Sequence, residues 1–181
     1  MGSSWTPRTE PSGAGYWTPR ASCVASIFVQ LGQRIATSFF RALLAEVELA
    51  EGRVGEAVEV LAAALAFAEE TGEHRHLAEL HRLRGACVLR AASANGTRKR
   101  RRGPDPTDVE AEACFQRAIT VAREQGARLW ELRAVTDLAR LWSAGGDKTK
   151  ARALLDGVYG AFTDGFDGAD LTRARELRTR L

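Results

Sequence analysis

Small and large residues recur at fixed offsets along this chain, and that recurrence limits its fold more than any other feature. Leu44-Ala45 is followed by Gly52, Ala57, Leu61 and Ala64, at offsets of 7, 12, 16 and 19 from Ala45. Leu138-Ala139 is followed by Gly146, Ala151, Leu155 and Val158, at the same four offsets from Ala139. The spacing describes a helix, a glycine break and a second helix. Small residues on the facing sides let the two helices approach closely, while the large residue fills the groove between adjacent hairpins.

A third copy fits between these two once an insertion is allowed. Gly85 takes the small position of its first helix, and Ala111, Phe115 and Ala118 repeat the second-helix spacing of 4 and then 3. Ala111 stands much farther beyond Gly85 than Ala57 stands beyond Ala45, and the excess is an insertion around Ser93 to Pro106. With the insertion discounted, the step from Ala45 to Gly85 equals the step from Gly85 to Ala139. The constant period, somewhat longer than the roughly 34 of the commonest helical-hairpin repeat, predicts stacked hairpins.

The rest of the pattern agrees. From about Ile35 onward, Ala, Leu, Glu and Arg dominate, apolar residues fall three and four apart, and no alternating strand is visible. Helices are predicted at 37–50, 54–71, 75–92, 108–125, 128–144, 148–162 and 169–180. Gly52, Gly72 and Gly126 stand where left-handed caps end helices, and Gly145-Gly146-Asp147 supplies a stop followed by a new N-cap. Thr107 and Glu110 have capping-box spacing, which predicts a helix starting near Asp108. The expectation is an all-α solenoid of about three hairpin repeats with a C-terminal capping helix, over residues 35–181, with an inserted basic loop at about 93–106. Residues 1–34, with three prolines and two copies of Trp-Thr-Pro-Arg, read as a disordered leader unrelated to the repeats.

Composition removes several classes of function. At 181 residues the chain has room for one core, and no window approaches the roughly 18 unbroken apolar residues of a membrane span. The formal charge of +3 comes from one run, Arg98, Lys99, Arg100, Arg101 and Arg102, without which the balance is negative. That run lacks interleaved aromatics to stack bases, so it reads as a solvated loop, with nucleic-acid binding as the weaker alternative. Cys23, Cys87 and Cys114 are an odd set without a CxxC pair, which fits buried thiols in a reducing, cytoplasmic compartment. His76 and His81 are five apart and point to different helix faces, so no metal site is predicted around His74, His76 and His81. Trp130 and Trp142 are expected to anchor the third hairpin.

The offsets resemble the tetratricopeptide repeat, in a variant with longer helices. More narrowly, five strings look like the C-terminal tetratricopeptide region of a bacterial family in which a class III adenylate or guanylate cyclase, or another output domain, precedes a signal-transduction ATPase. These strings are Ala78 to Gly85, Ala111 to Phe115, Glu131 to Ala134, Leu138 to Trp142 and Val158 to Asp167. The resemblance covers about Thr37 to Leu181. The catalytic parts of that family have no counterpart here. The nearest string to a phosphate loop, Gly145-Gly146-Asp147-Lys148-Thr149, carries Asp147 where the loop needs glycine and has no strand before it. No catalytic residue, cofactor or metal is therefore expected.

The resemblance also implies a binding surface. In tetratricopeptide arrays the first helices line a concave groove, and residues at offsets -6, -3, +1, +4 and +5 from the small position face the ligand. These positions include Glu46 in the first repeat, Glu79, Arg82 and Arg90 in the second, and Arg133, Thr136 and Arg140 in the third. Four arginines in one groove would suit the carboxylates of an acidic peptide or a C-terminus. The reading is a non-catalytic protein-interaction or sensor module of a bacterial signalling protein. A regulatory fragment of a cyclase or ATPase system is the alternative, and a small-molecule ligand is undetermined.

Overall fold

A computed structural model describes residues 36–94, 96, 105–163 and 168–181. The leader over 1–34 and the basic run Arg98 to Arg102 lie outside the described residues. Among the described residues there are seven α-helices and no strand. They are α1 (Thr37–Ala50), α2 (Val54–Thr71), α3 (Leu77–Ala94), α4 (Pro106–Glu124), α5 (Arg128–Gly145), α6 (Lys148–Tyr159) and α7 (Ala169–Arg180). Each of the first six packs on its sequence neighbours, and the odd-numbered helices also pack along one another from α1 through α3 and α5 to α7. No described helix is long and apolar enough to cross a membrane.

The offset positions form the interior. Ala45, Ala57, Ala64, Ala111, Ala118, Ala139, Ala151 and Leu155 are wholly buried, and Leu61, Phe115 and Val158 nearly so. The tightest joint lies between α3 and α4. A methyl group built on Gly85 would stand 2.7 Å from the Phe115 ring, so only glycine lets that ring lie against the α3 backbone. Trp142 packs on the C-terminal core around Leu132, Leu138 and Leu155, while Trp130 covers Ala78, Val121 and Ala122 at the other end of α5. Cys87 and Cys114 are free and buried, and burial pushes the Cys87 thiol up to about 11.

Several helix ends differ from the sequence reading: α3 runs over Leu77–Ala94 and not the expected 75–92, and α4 starts at Pro106, ahead of the expected 108. The N-cap of α4 is Asp105, whose carboxylate accepts from Thr107 N at 2.9 Å; the Thr107 and Glu110 box is not the cap. Pro106 decides this, since its fixed φ and missing N–H suit the first helical position and set the cap immediately before it. Asp147 does stand at the N-cap of α6, but its side chain makes no capping bond. That helix ends at Tyr159, short of the expected 162, because the chain tightens into i→i+3 bonds from Ala161 N to Val158 O and from Phe162 N to Tyr159 O. Gly52, Gly72, Gly126 and Gly146 all adopt the positive φ expected of them.

Candidate binding groove

α1, α3 and α5 run side by side and enclose a groove of about 610 Å³. Its floor is apolar: Leu49 and Ala50 come from α1, Leu83, Ala86 and Leu89 from α3, and Leu141 and Ala144 from α5. Of the sequence-predicted residues, Glu46, Arg82, Arg90 and Arg140 line it. Glu79 and Arg133 lie behind one end of it, in contact with Arg82 and Glu46.

That end is a network of charges the chain supplies to itself. Arg82, 8% exposed, grips the buried Glu79 through two hydrogen bonds, Nε to Oε2 at 2.8 Å and Nη2 to Oε1 at 2.7 Å. It also donates to Asp137 at 2.7 Å and to Glu46 at 3.4 Å. Arg133 holds Glu46 at 2.7 Å and Glu79 at 2.9 Å, lies 3.6 Å from Asp170 and stacks over the Trp130 ring at 5.3 Å. Arg140 donates to Asp137 at 2.8 Å, and Arg173 lies 3.5 Å from Asp170. Arginines of α3, α5 and α7 thus face carboxylates drawn from α1, α3, α5 and α7.

The electrostatics follow from burial. Taking Arg82 out of water opposes its charge, but Glu79 and Asp137 outweigh that cost and hold its pKa above the ordinary guanidinium value. Fork-shaped pairing of this kind satisfies donor and acceptor together, which burial of both partners requires. A recess of about 30 Å³ inside the network has room for little more than water.

Of the four arginines expected to share the groove, three are engaged within the chain. Arg82, Arg133 and Arg140 already carry carboxylates of their own chain, and the Thr136 hydroxyl donates to the Leu132 carbonyl at 2.7 Å. Only Arg90 stays exposed with no ion pair among the described residues, at the end of the groove lined by Leu89 and Ser93. Sequence reasoning missed Asp137 and Asp170, which occupy none of the ligand-facing offsets. The one local signal for Asp137 is its i, i+3 relation to Arg140 on a helix.

His76, expected at a hairpin entry, stacks on Phe39 at 4.9 Å and meets Trp130 edge-on at 6.4 Å, tying together the starts of α1, α3 and α5. Burial holds its pKa below the ordinary imidazole value, against the pull of Glu73. No model of a protein family matches this chain, and no curated protein matches it in sequence.

Proposed function

We propose that the chain is a non-catalytic interaction module of the tetratricopeptide type, which takes a partner peptide into the groove between α1, α3 and α5. One observation carries the reading: a groove of about 610 Å³ with an apolar floor, lined at one end by a self-neutralised network and at the other by Arg90, which has no ion pair among the described residues. A partner with an apolar side chain for the Leu49, Ala50 and Leu89 floor and a carboxylate for Arg90 would satisfy both. The network sets the shape of the groove and Arg90 selects the charge.

The test is affinity capture from bacterial lysate by the full chain and by an Arg90→Glu variant that melts at the same temperature. A protein retained only by the unaltered chain supports the reading and names the partner. Equal retention by both overturns it.

The five strings favour a more specific setting, in which this module is the C-terminal regulatory region of a bacterial cyclase and ATPase signalling system in the cytoplasm. In that setting the catalytic domains lie outside this chain, and the groove reports partner occupancy to them. Sequencing the flanking reading frame tests this: a glycine-rich phosphate loop upstream supports it, and an unrelated flanking gene counts against it.

A further inference from the structure

α3 has a second open side, turned away from the groove just described. Arg84, Cys87, Val88 and Ala91 recur at i, i+3, i+4 and i+7, as do Val58, Leu61, Ala62 and Leu65 on α2. Both stripes line a cleft of about 570 Å³, completed by Thr107 and Glu110 of α4. Among the described residues α2 and α4 both pack on α3 but not on each other, which leaves a gap between them. Val58, on its edge, is 48% exposed.

Two stripes with helical spacing, facing a gap beside a third helix, are the surroundings an α-helix meets inside a bundle. The cleft walls carry two exposed charges, Arg84 on α3 and Glu110 on α4. Neither has a hydrogen bond or ion pair among the described residues. In the groove between α1, α3 and α5, by contrast, Arg82 and Arg140 are paired within the chain and Arg90 alone is left for a ligand. We infer that this cleft docks an amphipathic helix of a partner protein, with an aliphatic stripe against Val58, Ala62, Leu65 and Val88, a carboxylate toward Arg84 and a cation toward Glu110. The inference does not depend on what occupies the groove between α1, α3 and α5.

Three fluorescein-labelled synthetic helices of about 16 residues test it, each with leucine at i, i+3, i+4 and i+7. One carries glutamate on one flank and lysine on the other, the second glutamate on both flanks, and the third lysine on both. Anisotropy titration against the full chain is expected to favour the mixed helix by about fivefold, a difference typical of a few rim charges. Arg84→Glu should move the preference to the all-lysine helix and Glu110→Arg to the all-glutamate helix. Val58→Glu, at an exposed position and so compatible with folding, should weaken the mixed helix about tenfold or more. Equal affinities for the three helices, no response to Val58→Glu, or binding of dodecanoate in place of any helix would each overturn the inference.

Discussion

The two open sides of α3 differ far less in size than in the state of their charges. On the side facing α1 and α5, Arg82 is held by Glu79, Asp137 and Glu46. Two positions later and about half a turn round, Arg84 reaches into the opposite cleft with no partner among the described residues. The same residue type on one helix is therefore a structural part in one place and a free contact in the other. An arginine in a groove says little about a ligand until its own chain's carboxylates have been counted.

Truncating the two arginines would sharpen that comparison most. Arg82→Ala leaves the buried Glu79 with Arg133 alone and Asp137 with Arg140 alone, and should cost about 2–3 kcal/mol of folding free energy. Arg84→Ala should stay within about 0.5 kcal/mol, as an exposed and unpaired position does. Urea midpoints for the two variants read the contrast directly. If they fell together, the division of α3 into a structural and a free side would be wrong.

The joint between the two sides is next in size. Gly85→Ala pushes a methyl group into the buried Phe115 ring, and overpacking should outweigh the helix propensity gained, for a net loss of about 1–2 kcal/mol. Pairing it with Phe115→Leu should return part of that loss, as a denaturant series on the single and double variants would show.

Acid should then weaken the stack modestly. Burial is the chief cause of the lowered pKa of both His76 and His81, with Arg117 and Arg84 adding to it at His81. The unfolded chain therefore takes up protons before the folded one does, and stability should decline as pH falls below about 6.5, levelling off once the folded histidines also titrate. Replacing both with glutamine should flatten the difference between urea midpoints at pH 8 and pH 5. The smallest stability effect belongs to Arg90→Ala, within about 0.5 kcal/mol, although partner capture by the groove between α1, α3 and α5 should fall sharply.

What the sequence disclosed was the part of the fold that depends on side-chain volume. Ala45, Gly85 and Ala139 must be small because a second helix lies against each, and that need repeats with the hairpin, so spacing alone reveals it. The charge network was hidden because its bonds join distant residues: Arg82 to Asp137 spans 55 positions and Arg133 to Glu46 spans 87. No local pattern marks which arginine will find which carboxylate. The start of α4 was misplaced for the opposite reason, a local contest in which Pro106 and Asp105 prevailed over Thr107. Leu61 was read as the large residue between hairpins, but sequence cannot show that Val58, Ala62 and Leu65 beside it border a cleft without a neighbour.

The bond between Arg133 and Glu46 has a mechanical consequence. A stack held only by adjacent contacts frays one unit at a time from its ends. This bond runs from α5 to α1 past the intervening α3 and works as a tie-rod, taking up load before the middle hairpin can slide or splay. Glu46 is 43% exposed at its side chain, so the rod is wet at one end and added salt should slacken it. Screening would then loosen the link between α1 and α5 while the buried pair of Arg82 and Glu79 holds.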